Sequence, residues 1–379
     1  MKPQFKDEIA LENHRFLILT GLNKQKHQVV CEVQEKGRPL YRKYASLPVE
    51  YYQSDEDFWN ENTRKVHERM KDEIQTFFII ENKLKNVNNY LYHFRFGRIL
   101  LSYNFIDEAI GHFKVTIENK PDFVKAHRKL AACYLKKKDF SEAKYVLHQA
   151  LNSGHTFPDI YNDLAVTYTF MKEYKKAKDM LQKALQKKNN FPEADFNLGL
   201  VLFFSSLDEK QEDKIAIPVR VIRALKDLKN AFHLNNKYWQ NHIDDILERI
   251  KDINDDSIIA LLRDLQLKIT TRDDQASLEF DYFFLKFMFG RRSLNDDELE
   301  YYEHVISDEV QLKNHYADYW NDLGVIHLIQ SRNYFLKALE EIEEATELNP
   351  QFTEAQETLE KIRRIKGGFL ILLRALLKG

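Results

Sequence analysis

The sequence predicts a mainly α-helical chain built from stacked helix pairs and preceded by a small β-rich segment. Three observations carry that reading. Among 379 residues there are only 11 Gly and 8 Pro, too few for an all-β protein with many tight turns but suited to long helices with short connections. Small residues recur at a fixed interval, with Gly97, Ala131, Ala165 and Gly199 standing 34 residues apart. Residues 15–50 instead hold short β-prone runs.

Those runs are RFLILTGL, HQVVCEVQ and PLYRKYASL, separated by the turn-like NKQK and EKGR. They predict an antiparallel meander of three strands within a β-rich domain at 1–50. Three strands are marginal alone, and residues 51–88 supply a cover. There a long connecting helix places Trp59, Val66, Met70, Ile74, Phe77 and Phe78 on one stripe. The expected role of this domain is to cap the first repeat, since an exposed end of a stacked array needs covering. Ligand binding by the small domain is the alternative.

Within 90–236 each small residue follows a large one: Phe96, Leu130, Leu164 and Leu198. Twelve residues after the first three small positions sit Ala109, Ala143 and Ala177, and four further on Phe113, Leu147 and Leu181. Such spacing describes two antiparallel helices per unit, the small residue of the first allowing close approach of the second. No single pair can bury its apolar face, so neighbours must stack.

This pattern resembles the tetratricopeptide repeat family over roughly 90–200 and 317–352. The resemblance implies a right-handed α-solenoid of TPR helix pairs. Units fall at about 90–123, 124–157 and 158–191, with Pro121 closing the first. A fourth begins at Pro192, with an insertion over 205–217 and Pro218 placed to open its second helix. A C-terminal unit is expected at 316–352, with Gly324 as the small residue, Ala338 and Ala345 on its second helix, and Pro350 at its end. Residues 237–315 are expected to continue the solenoid as divergent helical repeats. The Asp pairs there (Asp255/Asp256, Asp273/Asp274, Asp296/Asp297) precede helices and read as N-caps rather than metal ligands.

Chemistry is hard to find. The sequence contains neither GxxxxGK[ST] nor GxGxxG, and HERMK from His67 lacks the second histidine of HExxH. Cys31 and Cys133 stand far apart, outside zinc spacing, and Cys133 reads as a small core residue. The basic string around Ser293 matches a kinase site only weakly. The chain therefore reads as a non-enzyme with no cofactor and no metal. Lys and Arg number 57 against 59 Asp and Glu, so nucleic acid is not an expected partner. MKPQFKDEIALENHRF lacks a signal-like apolar stretch, and a cytoplasmic location is expected, in association with a membrane-bound assembly in one variant of that reading.

In tetratricopeptide proteins the first helices line a concave groove for peptides or helices. Carried onto this sequence, the resemblance implies a groove of Phe94, Arg98, Arg128, Leu135, Asn162, Val166, Thr169, Phe196 and Leu200. The two arginines suit an acidic ligand. The positions of the family's chaperone-tail clamp hold Phe94, Arg98, Lys129, Asp159 and Asp163, which departs from that clamp throughout. The implied function is a scaffold or adaptor that binds a partner peptide or helix and helps assemble a larger complex, such as an envelope, secretion or motility machine. The alternatives are a peripheral membrane adaptor and a ligand-sensing or enzymatic role in the N-terminal or middle region.

The chain ends in KGGFLILLRALLKG. A capping helix is expected over 353–366, broken at Gly367 and Gly368, then an amphipathic helix over 369–379. That second helix is too short to span a bilayer. It carries Phe369, Leu372, Leu373 and Leu376 on one face, with Arg374 and Lys378 opposite. Two placements stay open for it: packing on the fold, or docking into a partner or onto a membrane surface.

Overall fold

The computed structural model describes residues 3–11, 14–23, 27–46, 56–152, 154, 156–210, 219–231, 237–249, 257–290, 296–312 and 316–378. Pro218, Asp255, Asp256 and Ser293, named above, lie outside them. The chain divides into two compact units, Met1–Asp273 and Asp274–Gly379.

The first unit opens with an antiparallel meander of four strands, β1 (Phe5–Leu11), β2 (His14–Asn23), β3 (Gln28–Glu35) and β4 (Arg38–Ser46), in sequential order. One strand more is present than expected. β1 is the edge strand FKDEIAL, whose three consecutive charges hid it and whose Ile9 is its one fully buried side chain. At the β3–β4 turn Lys36 and Gly37 have φ of 49° and 76°. Two successive positive φ values make the tight hairpin turn that matches strand twist.

On one face of the sheet Ile18 lies opposite Val33 and Thr20 opposite Cys31. That face packs on α1 (Glu56–Leu84), which buries Trp59, Met70, Ile74 and Phe77. Sheet and helix together meet the first repeat. Tyr41 stacks on Tyr103 at 4.1 Å, and Phe16 meets Phe105 edge-on at 5.7 Å. Glu73, fully buried on α1, accepts from Tyr103 Oη at 2.6 Å and from Lys43 Nζ at 3.1 Å.

The helix pairs follow: α2 (Tyr90–Ser102) with α3 (Ile106–Asn119), α4 (Val124–Lys136) with α5 (Phe140–Asn152), and α6 (Pro158–Phe170) with α7 (Tyr174–Lys187). The turn inside each pair is the same. Asn104, Lys138 and Lys172 take φ of 64°, 62° and 60°, and the next residue's N–H bonds back to Leu100, Tyr134 and Tyr168 at 2.8, 2.9 and 2.9 Å. That is a Schellman C-cap repeated at the 34-residue period. Gly97 matters to the first pair, because a Cβ there would come 2.8 Å from the Phe113 ring. The fourth pair is α8 (Pro192–Lys210) with α9 (Val219–Ala231), so helix runs six residues into the expected insertion, through Lys210.

After α9 the repeat pattern ends. α10 (Lys237–Arg249) packs on α9, and α11 (Ser257–Thr271) packs on α4, α6 and α8. The expectation of further repeats here is corrected in one respect. α11 does not pair as the second helix of a unit but lies across the first helices of earlier ones.

The second unit contains α12 (Gln275–Phe289), α13 (Asp296–Leu312), α14 (Ala317–Leu348) and α15 (Thr353–Lys378). The C-terminal repeat expected at 316–352 is absent. One 32-residue helix, α14, replaces its helix pair. No residue from 317 to 348 has positive φ, and a Cβ on Gly324 would meet nothing within 4 Å, so no second helix presses against the small position. The break expected at Gly367–Gly368 is also absent, since α15 runs unbroken for 26 residues. Two helical glycines cost about 1 kcal/mol each, which the flanking strong helix formers outweigh.

Candidate functional site: the concave face and what fills it

Helices α2, α4, α6 and α8, the first of each pair, lie side by side in chain order and line the face that the resemblance assigns as concave, and α11 packs on α4, α6 and α8. Most of the residues assigned to an open groove are buried there: Phe94, Leu135, Asn162, Val166, Thr169, Phe196 and Leu200. Phe94 packs between repeats, edge-on to Phe123 at 4.8 Å. Thr169 turns its hydroxyl to Ala165 O at 2.7 Å, within its own helix. Phe196 and Leu200 join a core cluster with Ile258, Leu262, Leu265 and Ile269 of α11. The four α11 residues stand at three- and four-residue steps, one apolar helical face.

A polar seam runs beneath that contact. Asn197 Nδ2 donates to Asn162 Oδ1 at 2.8 Å, and Gln266 Nε2 donates to Asn197 Oδ1 at 3.0 Å. Three buried amides thus link α6, α8 and α11. Gln266 Oε1 at the end of the chain is buried without a donor.

Charge closes the C-terminal end of α11. Just beyond its last turn, Asp273 accepts from Arg98 Nε at 3.0 Å and pairs with Lys129 Nζ at 2.9 Å. Lys129 also donates to Arg272 O at 2.9 Å, and Arg272 pairs with Glu193 at 2.7 Å. Burial pushes the Asp273 carboxyl up, but the charges of Lys129 and Arg98 outweigh it and hold the group below its ordinary range. Burial lowers the Lys129 ammonium, with Asp273 opposing the shift. Further up the helix the guanidinium of Arg263 lies 4.1 Å from the Phe204 ring centre, in cation–π contact.

Arg128 faces a different acid. Its Nε donates to Asp163 Oδ2 at 2.6 Å, with Asp159 at 3.8 Å. Burial would lower its pKa, yet Asp163 raises it, so this guanidinium stays charged. The two arginines expected to receive an acidic ligand therefore both hold carboxylates of this chain. Lys129, the third cation, was missed as a groove residue. Its signal was present, because it neighbours Arg128 in sequence, and RDD at 272–274 offers the matching acid.

The other expected site lies in the second unit. Phe369, Leu372, Leu373 and Leu376 fall on the last turns of α15, and their side chains are outside the described set. Among the described residues no helix is long and apolar enough to cross a membrane.

Asp7, His67 and Glu68 are close enough to share a cation, but Lys71 Nζ already sits 2.6 Å from Asp7 Oδ2. Cys31 and Cys133 are free and buried, and burial pushes their thiols up to about 11 and about 12. A thiol so shifted is not a nucleophile at neutral pH. Asp274, unlike Asp273, does cap a helix, accepting from Ser277 N at 3.1 Å.

No family model matches the chain, and no curated protein matches its sequence. Solved structures do match. YrrB, described as a TPR protein with an unusual peptide-binding site, shares 18% identity over 52% of this chain and 95% of its own, with a TM-score of 0.31. MamA shares 18% identity over 46% of this chain and 97% of its own, with a TM-score of 0.29. A tetratricopeptide repeat protein from Parabacteroides merdae shares 15% over 72% and 98%, also with a TM-score of 0.29. In this chain itself the first three helix pairs recur at a 34-residue interval and are joined by one recurring turn.

Proposed function

We propose that the protein is a non-enzymatic interaction scaffold whose concave face binds a helical segment of a partner protein and brings it into a larger assembly. One observation carries the reading: this face holds an amphipathic helix with a carboxylate at its end, α11 and Asp273, through apolar anchors, amide side chains and a two-cation clamp. That is helix-in-groove recognition, performed here by a segment of the same chain. The partner suited to the face is therefore an acidic amphipathic helix.

A photoreactive residue placed at Asp159, on α6 beside Arg128, tests the reading in the native cell. The control position is Tyr145, an exposed side chain on the second helix α5. A discrete adduct from position 159 and none from 145 is expected. Adducts from 145 alone, or from neither, would sink the assignment to this face.

A second reading rests on α15. From Lys361 to Lys378 it carries six basic residues and no acidic one, while Ile365 and Ile371 are 58% and 70% exposed. A basic amphipathic helix suits an anionic membrane surface, and vesicle flotation with and without anionic lipid distinguishes an adaptor of that kind.

A further inference from the structure

We infer that α11 is a displaceable internal occupant: it holds the concave face closed until a partner helix bearing a carboxylate at the place of Asp273 takes its position. The inference rests on the reading of this face as a binding surface and adds its regulation and the partner's required chemistry.

Three features support it. The first is electrostatic. Arg98 and Lys129 converge on one carboxylate, and their side chains are only 11% and 18% exposed. Two neighbouring cations with so little water need a counter-charge. An empty clamp is therefore costly, and a helix without a carboxylate at that point cannot replace α11. Arg128 makes no such demand, because Asp163 already neutralises it. The selection therefore falls on the Asp273 position alone.

The second feature is the imperfect fit of the occupant. Gln266 lies fully buried, donates to Asn197, and leaves its own carbonyl oxygen without a donor. A buried acceptor left unpaired forfeits its hydration with no return. An incoming helix with a better-matched residue at this point starts with an advantage over α11.

The third is position in the fold. The repeats α2–α7 bury their own faces through recurrent pairs, and Gly97, Phe113, Leu147 and Leu181 complete those interfaces without α11. The pairs α2–α3, α4–α5 and α6–α7 are held by contacts of their own, so the departure of α11 leaves these three pairs together, while the fourth pair, α8 and α9, shares its core with α11. While it is docked, a competitor's apparent affinity falls by the fraction of molecules in which the face is open.

The test uses the full chain and a fluorescent peptide carrying this protein's residues 257–273. In anisotropy titrations wild type is expected to bind the peptide weakly. Asp273→Asn removes the charge that latches α11 and is expected to bind about tenfold more tightly, as its face opens more often. The double variant D273N/K129Q, and a peptide carrying the same Asp→Asn change, should each lose that gain. Hydrogen exchange gives the second measurement. Amides of 257–271 are expected to exchange about tenfold faster in Asp273→Asn, with α4–α7 unchanged.

Unchanged exchange together with equal affinities overturns the inference, since α11 is then permanent core. Tight binding by wild type itself preserves the binding surface and overturns the latch. Faster exchange without peptide binding in any variant overturns the reading of the face as a binding surface, and the inference with it.

Discussion

The α2–α7 repeats and the α14 helix carry the same sequence pattern and fold differently. In the first pair the small residue Gly97 is pressed by Phe113 from the second helix, and the chain reverses at Asn104 in a left-handed turn. In α14 the small residue Gly324 faces open space, and the helix runs straight through the place where a turn was expected. A small residue among large ones therefore marks a helix pair only when two further conditions hold. A bulky partner must arrive at the right register, and a residue must accept the left-handed turn.

The largest expected effect comes from removing that partner. Phe113→Ala should destabilise the first unit by about 3–5 kcal/mol in urea unfolding, the usual cost of deleting a buried aromatic. A loss under 1 kcal/mol would mean that the first pair is not held by this contact.

Next comes the paired test of the two glycines. Gly97→Ala forces a methyl against the Phe113 ring and should cost about 1–3 kcal/mol. Gly324→Ala should instead stabilise the second unit by up to about 1 kcal/mol, because alanine favours helix and nothing obstructs it. Equal effects at the two sites would erase the distinction drawn here.

The packing of α1 on the first repeat adds a pH dependence. His93 Nδ1 lies 2.8 Å from His112 Nδ1, and His112 Nε2 lies 2.7 Å from Glu81. Burial, reinforced by the charge of His112, holds the His93 pKa below its ordinary value. A depressed histidine contributes stability that is complete above about pH 6.5, its unfolded value, and lost as pH falls towards the folded value. Stability of the first unit should therefore decline as pH falls below about 6.5, and His93→Gln should flatten that decline.

The smallest effect concerns the turn. Lys172 sits at a left-handed φ of 60°, which costs a side-chain-bearing residue about 1–2 kcal/mol. Lys172→Gly should recover about 1 kcal/mol, less the entropy that glycine loses on folding. The same change at Ser331, in the corresponding place of α14, should be destabilising.

Much of this was legible. The 34-residue interval located α2 to α7, and the apolar stripe of Trp59, Met70, Ile74 and Phe77 located α1. β1 was not legible, because an edge strand exposed on alternate residues reads as a charged loop. Nor was the fate of α11. Its apolar spacing is visible as a helix, but spacing does not name the surface that the helix covers. The groove residues gave a clue in their own chemistry. A face lined by Phe94, Leu135, Val166, Phe196 and Leu200 is too apolar to stand in water uncovered.

The sequence by itself determined the helix pairs, their period and their turns, since these depend on residues a few positions apart along one chain. Only the tertiary structure decided that Gly324 has no partner and that α11 lies in the concave face. It also decided that Asp273, rather than a foreign ligand, closes the clamp of Arg98 and Lys129. Those outcomes join residues 144 to 175 positions apart (Lys129 and Arg98 to Asp273). At that separation no local period carries the pairing, and the burial of opposite charges selects it.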